Sequence, residues 1–455
     1  MYDRRELHLT LDLCLRIGEV LLSSGAGAAD VTVTMEAVAR HLGVRQPEID
    51  VTFTSLSISA NADPDDPPVV LMRVVRHRDL DYEDLTSVDH LVRDVLRDEA
   101  DVYTARTRMA TIVSVGHPMP RWAVTLFLGT MCASVGAFLG GGLPVMGIAG
   151  VAAMLIDRCM LAMQRRRMPL FYQQVVGGLV ATLLAVALAA SPLPLDPSLV
   201  ITANVMVLLA GIGFLGAIQD ALSGFYVTSG ARMIEALLAT AGIIAGVSGG
   251  LSLADVLGVD MGLFVPGRTM GDYTVVVSVL GGAAAAAAFA FACYAPRRAV
   301  LPIALITSIA SVIHWVVLGS AIGRTWAAAT ASLFVGLVAY AVAGRVRVPP
   351  LVVVVPAIVP FLPGLSIYRG LSLLSQGGSG TSLGLLSLMT AASVAIAISS
   401  GVILGEYLAQ PLKREARRLE DRLAGPRLVG PLRPRTRRDR RQRRERELAD
   451  NDRTG

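Results

Sequence analysis

The sequence predicts a polytopic α-helical membrane protein with about ten transmembrane helices in a 5+5 arrangement, preceded by a small α+β cytoplasmic domain. The 455-residue chain is 53% hydrophobic and 17% charged, and its mean hydropathy is +0.57. A soluble protein is rarely so apolar. The apolar residues form runs long enough to cross a bilayer, which takes about 20 residues per helix. Charged residues are concentrated in the first 115 positions and in an Arg-rich tail, so the middle of the chain is nearly uncharged.

The first 115 residues carry the sequence patterns of a small folded domain. Apolar residues recur on one helical face over residues 5–23 and again over residues 30–42, which predicts two helices. Residues 50–60 alternate apolar and hydroxyl side chains, as a half-buried strand does, and residues 69–76 supply a partner strand. Residues 85–109 return to a helical pattern. No apolar signal segment precedes this domain, so we expect it to stay in the cytoplasm.

Ten apolar segments follow a boundary at His117–Trp122, where two prolines and a tryptophan are typical of a membrane interface. The ninth segment contains five prolines, so we expect its helix to be broken. The predicted domains are a cytoplasmic domain (1–115), two five-helix membrane halves (116–260 and 261–410) and an Arg-rich, disordered cytoplasmic tail (411–455). The predicted spans are residues 122–140, 143–163, 171–190, 199–217, 231–251, 273–294, 299–319, 325–343, 349–364 and 383–408.

The distribution of arginines predicts the orientation of these spans. With the N-terminus inside, most arginines fall in inside loops and in the tail, whereas the outside loops carry more aspartate. This arrangement obeys the positive-inside rule, and an even number of spans places both termini in the cytoplasm. Basic residues that are almost all Arg, with abundant Ala, Val and Gly, are typical of a GC-rich bacterial genome. We therefore expect a multi-pass protein of the bacterial inner (plasma) membrane.

Several functional classes lack their sequence signals. The four cysteines, at positions 14, 132, 159 and 293, have no metal-binding spacing. His77, Asp81 and His90 lie close together, but no catalytic motif accompanies them. No phosphate-binding loop is present, and the basic tail has no interleaved aromatic residues of a nucleic-acid-binding segment. We expect no enzyme activity, no cofactor, no metal and no nucleic-acid partner.

Costly polar residues occur within and between the apolar segments. Asn204 and His314 lie inside predicted spans, and Asp220, Arg232 and Glu235 lie where the fourth span gives way to the fifth. Each has a structural interpretation, such as a salt-bridged helix start or a hydrogen-bonded core histidine. As a group they favour a pathway for substrate or protons, because charge near a membrane interior is costly and usually functional. We expect Asp220 and Arg232 at a cytoplasmic mouth or gate and Glu235 in a more buried role.

A second group of residues occupies Pro360–Gly370, with the sequence PFLPGLSIYRG. A proline-broken helix leaves backbone groups that only protein or a water-filled cavity can satisfy, and such helices form substrate sites in secondary transporters. Arg369 could bind a carboxylate through two hydrogen bonds. An outside loop that carries Tyr368 and Arg369 is the structural alternative.

Three stretches resemble the bacterial threonine/serine exporter family over nearly the whole chain. LDLCLRIGEVLLSSGAGAADV with VTFTSLSIS is similar to its cytoplasmic domain, IQDALSGFYVTSGARMIEALL to its Asp–Ser-Gly–Ala-Arg–Glu signature, and PFLPGLSIYRGL to its Pro-Gly–Tyr-Arg-Gly signature. The matched positions are Asp220, Ser223, Gly224, Arg232 and Glu235 in the first signature, and Pro363, Gly364, Tyr368, Arg369 and Gly370 in the second.

The resemblance implies proton-driven export of small hydroxy amino acids without ATP. Its two-gene relatives are associated with succinate, so a C4-dicarboxylate exporter is the first alternative. A membrane-anchored sensor or hydrolase acting through the N-terminal domain, and a channel, remain open. We expect Arg369 or Arg232 to bind the substrate carboxylate, and Asp220 or Glu235 to meet its ammonium group or a coupling proton. The expected partners are a small-molecule substrate, protons and the lipid bilayer, and a homo-oligomer stays open.

Overall fold

The computed structural model describes residues 4–423, except 62–66, 76–77, 79, 118, 191–196, 211–212, 260–271, 321 and 376–379. Helices dominate this part of the chain, and the one sheet described has three strands in the order β1-β2-β3. The predicted fold class, a polytopic helical membrane protein with a small α+β domain, is therefore confirmed.

The N-terminal domain packs four helices around an antiparallel sheet. Leu11 and Ile17 of α1 and Leu56 of β2 are fully buried in its core. Gly18 permits this packing, because a Cβ there would clash with Met35 of α2. The elements are α1 (Arg4–Ser23), α2 (Ala28–His41), β1 (Glu48–Val51), β2 (Ser55–Ala60), β3 (Val69–Val74), α3 (Tyr82–Leu96) and α4 (Val102–Ser114).

Two elements of this domain differ from prediction. The single strand expected over residues 50–60 is a hairpin of β1 and β2, whose turn is held by the Thr52 amide on the Ser55 carbonyl at 2.9 Å. That turn contains no Gly, Pro, Asn or Asp, so the strongest turn signals are missing. The helix expected over residues 85–109 is divided into α3 and α4, because Asp98 adopts a left-handed φ of 61° and Asp101 caps the next helix.

Antiparallel apolar helices form the rest of the described chain. Within the described residues, nine segments are long and apolar enough to cross a membrane, and one of them, Pro350–Leu374, comprises α14, a 3₁₀ turn and α15; Ser198–Leu209 is a shorter apolar helix. Residues 424–455, most of the predicted tail, lie outside the described residues. The helices are α5 (Arg121–Phe138), α6 (Leu143–Arg165), α7 (Leu170–Ala189), α8 (Ser198–Ala210), α9 (Phe214–Leu222), α10 (Tyr226–Val256), α11 (Asp272–Ala292), α12 (Arg297–Leu318), α13 (Arg324–Val346), α14 (Pro350–Ile358), α15 (Gly364–Ser375) and α16 (Gly380–Leu423), with a 3₁₀ turn at Val359–Phe361.

Glycines bring helices into backbone contact at equivalent places in the two halves. A Cβ at Gly246 of α10 would clash with the Val175 carbonyl of α7, and a Cβ at Gly336 of α13 would clash with the Val402 carbonyl of α16. Small residues allow this close packing inside a membrane, where no hydrophobic effect drives helices together. The third and fifth crossings of each half therefore pack in the same way.

The fourth crossing of each half is interrupted. The expected continuous span over residues 199–217 is wrong, because Gly213, between α8 and α9, has a non-helical ψ of 35°. The expected break in the ninth span is confirmed by α14, the 3₁₀ turn and α15. Tyr368 and Arg369 lie within α15, so the alternative of an outside loop for these two residues is wrong as well.

Candidate functional site

The two interrupted helices occupy corresponding positions in oppositely oriented halves. α5 begins beside the N-terminal domain, where His117 lies 2.7 Å from Asp81. α11 instead ends at that domain, where the Cys293 carbonyl accepts a 2.9 Å hydrogen bond from the Tyr82 amide. The halves are thus inverted relative to one another, and α8 of the first contacts α15 of the second. Interrupted helices at matching positions of inverted halves surround the substrate site of many secondary transporters.

The break between α14 and α15 follows from its prolines. Pro360 and Pro363 have no amide hydrogen, so they cannot serve the carbonyls of Pro356 and Val359 four residues earlier. Those carbonyls accept instead from the amides three residues later, of Val359 and Leu362, which tightens the chain into a 3₁₀ turn. Short 3₁₀ segments inside helices often mark functional hinges.

Four polar residues define what we call the distal cluster: His314, Arg324, Ser366 and Arg369. Arg324 begins α13 at the far end from Arg347, whose carbonyl contacts His90 of the N-terminal domain at 2.9 Å. The 23 residues of α13 separate these ends by about 35 Å. The Arg324 guanidinium donates to Ser366 Oγ at 3.4 Å, and Arg369 is its cationic neighbour. No carboxylate in the described part of the chain forms an ion pair with either arginine.

His314 extends the distal cluster into the helix bundle. Its ring lies 5.2 Å from that of Phe361 in the 3₁₀ turn and 6.4 Å from that of Phe138. Its Nδ1 and the Ser311 hydroxyl one turn earlier on α12 are buried without an aligned hydrogen-bond partner among the described residues, and the backbone of Ala327 lies beside the imidazole. Buried polar groups normally find partners. Two of them beside a broken helix are therefore candidates to contact a polar ligand.

The proximal cluster lies at the opposite end, where Asp220 of α9 meets Arg232 of α10. Asp220 Oδ2 and Arg232 Nε are 3.2 Å apart, an ion pair without hydrogen-bond alignment, and the two side chains are 0% and 7% exposed. The backbone of the N-terminal domain completes this pair. The Ala28 amide donates to Asp220 Oδ1 at 2.7 Å, and Arg232 Nη2 donates to the Ala26 carbonyl at 2.8 Å.

Glu235 reverses the sequence expectation. It was expected to be more buried than Asp220 and Arg232, but its side chain is 45% exposed and pairs with Arg78 at 3.3 Å. The reason is the N-terminal domain, which covers Asp220 and Arg232 and leaves Glu235 at the margin of the contact. A helical position closer to the membrane therefore does not make this carboxylate more buried.

The Ser223-Gly224 part of the signature ends a helix. Gly224 has a φ of +87°, which a glycine adopts at little cost. The Phe225 amide then bonds the Asp220 carbonyl at 2.8 Å and the Gly224 amide bonds the Ala221 carbonyl at 3.2 Å, the pattern of a Schellman motif. This tight ending brings α9 directly into α10 and holds Asp220 near Arg232.

The remaining expected site residues lie at close contacts between membrane helices. Asn204 of α8 donates to the Val200 and Ala149 carbonyls, at 2.9 and 3.4 Å, so its amide group joins helices. Tyr368 is 2% exposed within α15. A Cβ at Gly364 would clash with Met206 of α8, which explains the small residue beside the buried Pro363. Gly370 likewise approaches Gly384 of α16.

Asp30 of α2 adds a titratable group to the proximal cluster. Gln219 donates to its carboxylate at 3.4 Å. By accessible surface, Asp30 is exposed to water. Partial burial, followed by the negative charges of Glu406 and Asp220, nevertheless raises the pKa of Asp30 to about 6, while the Gln219 hydrogen bond opposes the shift. Neither Asp30 nor Arg324 was expected from the sequence.

A second junction fixes the N-terminal domain through His117. Its ring stacks on Tyr294 at 3.9 Å, and its Nδ1 lies 3.1 Å from Glu83. Asp81, Asp84 and His117 present ligand atoms within 4.8 Å of one another. Both ring nitrogens of His117 nevertheless contact carboxylates. These contacts explain why the three side chains lie together without invoking a metal ion.

A bundle of apolar helices with two interrupted crossings and a charged cluster at each end defines a multi-pass membrane transporter. Residues 12–254 match the family model "Putative threonine/serine exporter", and residues 278–408 match "Threonine/Serine exporter, ThrE". The chain belongs to the threonine/serine exporter family, which confirms the resemblance seen in its motifs. A transporter is not an enzyme, so family membership does not support a hydrolase acting through the N-terminal domain.

Curated proteins with similar sequences agree. The "Probable threonine/serine exporter" of Mycobacterium tuberculosis is 36% identical over 425 residues, which cover 91% of this chain and 80% of that protein. The "Threonine/serine exporter" of Corynebacterium glutamicum is 32% identical over 426 residues, 91% of this chain and 85% of that protein. The "Probable succinate transporter subunit YjjP" of Escherichia coli is 26% identical over 238 residues, 52% of this chain and 91% of that protein. No solved structure matches the chain.

Proposed function

We propose that this protein is a secondary active exporter of small hydroxy amino acids, threonine and serine, coupled to the proton gradient. The observation that carries the proposal is the pair of neighbouring arginines, Arg324 and Arg369, beside a proline-broken helix, with no described carboxylate paired to either. Two such cations suit a carboxylate, which arginine binds through paired hydrogen bonds. The relatives that match most of the chain carry the name threonine/serine exporter.

The distal cluster also offers groups for the rest of an amino acid. The Ser366 hydroxyl, the Ser311 hydroxyl and His314 Nδ1 lie on the helices that surround the break. A hydroxyl group and a neutral imidazole nitrogen can each bond an ammonium or hydroxyl group. Arg232 is less suited to the substrate, because Asp220 and the Ala26 carbonyl already occupy it.

Proton coupling is assigned to the proximal end. The pKa of Asp30 is raised to about 6, and Asp30 lies close to Glu406 of α16, so Asp30 is the candidate to exchange a proton while the helices rearrange. We place the protein in the bacterial inner membrane with both termini in the cytoplasm, as its arginine distribution favours. Labelling of single cysteines near each end with an impermeant reagent tests that orientation.

Export from proteoliposomes tests the function. Vesicles preloaded with labelled threonine, serine or succinate receive an imposed pH difference, with and without a protonophore. Gradient-dependent efflux of threonine and serine is expected. Efflux of succinate alone would favour the dicarboxylate alternative, which the two arginines also accommodate. Efflux that ignores the gradient would indicate a channel.

A further inference from the structure

The turn between α1 and α2 is the part of the N-terminal domain that reaches the membrane helices. Residues 25–28 present backbone groups, not side chains, to the buried Asp220–Arg232 pair. Gly27 fits closely, since a Cβ there would lie 3.3 Å from Gln219 and 3.4 Å from Asp220. We call residues 25–28 the docking turn.

The docking turn lies at the seam between the two membrane halves. From the first half, Asp220 of α9 accepts a hydrogen bond from the turn, and Gln219 packs against Gly27. From the second half, Glu406 of α16 and Tyr340 of α13 are electrostatic neighbours of Asp30, two residues beyond the turn. α9 itself packs against α16. Movement of one half relative to the other therefore has to change the surroundings of this turn.

Further contacts hold the domain over the same end. Thr228 donates to the Val51 carbonyl of β1 at 3.1 Å, which fixes the sheet to the start of α10. Arg78 pairs with Glu235 on the same helix. The domain thus rests on α9 and α10 over the loop that joins them, at the end where we place the cytoplasmic mouth.

We infer that the N-terminal domain is the inner gate of the transporter and that the Asp220–Arg232 pair is the latch that holds it closed. The inference rests on the proposed transport function. A buried ion pair is costly to desolvate unless further hydrogen bonds complete it, and here the docking turn supplies them. When the turn withdraws, water can solvate both charges, so the closed and open states stay close in free energy.

The latch is tested without transport. A thiol at Gly27→Cys, with Gln219→Ala to make room and the four native cysteines replaced, is expected to be protected from a soluble maleimide. Asp220→Asn keeps an acceptor for the Ala28 amide but removes the charge that pairs with Arg232. It should speed alkylation about tenfold or more, because it leaves a buried charge uncompensated. Equal rates in the two proteins would overturn the latch.

The gate is tested by closing it covalently. In a protein without native cysteines, Gly27→Cys and Gln219→Cys place two thiols across the interface. Oxidation should stop threonine efflux and a reductant should restore it, whereas a merely structural domain would export normally when cross-linked in its native position. A control pair, Ser59→Cys with Val70→Cys, joins directly opposed residues of β2 and β3 within the domain and should leave efflux unchanged.

The outcomes separate the two proposals. Export by the reduced protein but not by the oxidised one supports the gate. Equal export by both overturns the gate and leaves the transport function standing. If the cysteine-free parent, which keeps Gly27 and Gln219, exports neither threonine nor serine, the proposed function is contradicted, and the alkylation rates still decide on the latch.

Discussion

Arg78 of the N-terminal domain and Glu235 of α10 form an ion pair 3.3 Å apart that joins the domain to the membrane helices. The Arg78 guanidinium also lies 3.3 Å from the centre of the Phe53 ring and donates to the Phe53 carbonyl. Arg78 therefore makes three contacts, an ion pair, a cation–π contact and a hydrogen bond to a carbonyl, whereas Glu235 takes part only in the ion pair.

This asymmetry predicts different effects of removing each partner. Glu235→Gln should change the free energy of unfolding by less than about 1 kcal/mol, as for other exposed pairs, and should preserve threonine efflux. Arg78→Ala should cost about 1–2 kcal/mol, because it also loses the aromatic and carbonyl contacts. Thermal unfolding in detergent and vesicle efflux measure both. Loss of export in a stable Glu235→Gln protein would return this carboxylate to the transport pathway.

Removing the distal arginines should weaken substrate binding. Arg324→Ala and Arg369→Ala each remove charge-assisted hydrogen bonds of about 1.5–3 kcal/mol, which corresponds to a rise of about 10- to 100-fold in the KM for threonine. Arg324→Lys should recover part of the loss, since the charge remains but the planar fork does not. The exposed Arg345→Ala, at the other end of the same helix, is the control. Unchanged KM values in both alanine variants would exclude the distal cluster as the carboxylate site.

The raised pKa of Asp30 predicts a pH-dependent stability. Because its pKa in the folded protein, about 6, exceeds the ordinary value of 3.8, the folded state binds the proton more tightly. The protein should gain stability as the pH falls through about 6 and lose it as the pH rises. Asp30→Asn should flatten this profile and raise the free energy of unfolding at pH 7.5 by less than about 1 kcal/mol, because water screens the exposed side chain.

Two measurements check this behaviour of Asp30. Melting temperatures between pH 5 and 8 should differ between the wild type and Asp30→Asn, whereas the exposed Asp50→Asn should follow the wild type. If Asp30 carries the coupling proton, efflux by Asp30→Asn should also lose its response to an imposed pH gradient. A gradient response equal to that of the wild type would assign the proton to another group.

Asp157 is predicted to matter for stability rather than transport. Its carboxylate accepts hydrogen bonds from Arg121 and Thr125, each at 2.6 Å, and these join α6 to α5. Arg121→Ala should cost about 1–3 kcal/mol, because the buried carboxylate loses its cation. The exposed neighbour variant Arg158→Ala should be nearly neutral. A melting temperature for Arg121→Ala equal to that of the wild type would show that the pair contributes little.

The membrane helices were predictable because they form long apolar runs. The prolines of residues 349–364 also predicted one of the two breaks. The break after α8 was missed, because no proline interrupts residues 199–217 and the apolar run continues across it. The turn at Thr52 was missed for a similar reason, since hydroxyl groups close it instead of the residues that usually mark turns.

The charged clusters were only partly predictable. The sequence places Asp220, Arg232 and Glu235 together, but the buried contacts of Asp220 and Arg232 come from Ala28 and Ala26, which lie about 200 positions away and contribute only backbone groups. No side-chain pattern can announce such partners. In the sequence, Arg324 resembles an ordinary loop arginine, and only folding brings it beside Arg369. Likewise, nothing in the sequence around Arg78 indicates that it pairs with Glu235 on α10.

The separation between the docking turn and its partners has a consequence for synthesis. The Ala28 amide and Asp220 are 192 positions apart, and Arg232 and the Ala26 carbonyl are 206 apart. The ribosome therefore releases the N-terminal domain, which can fold, before α9 and α10 enter the membrane. Those helices must then dock onto an N-terminal domain that has already folded. A chain that lacks residues 1–115 would enter the bilayer with Asp220 and Arg232 missing their backbone partners. We expect cellular proteases to degrade such a chain.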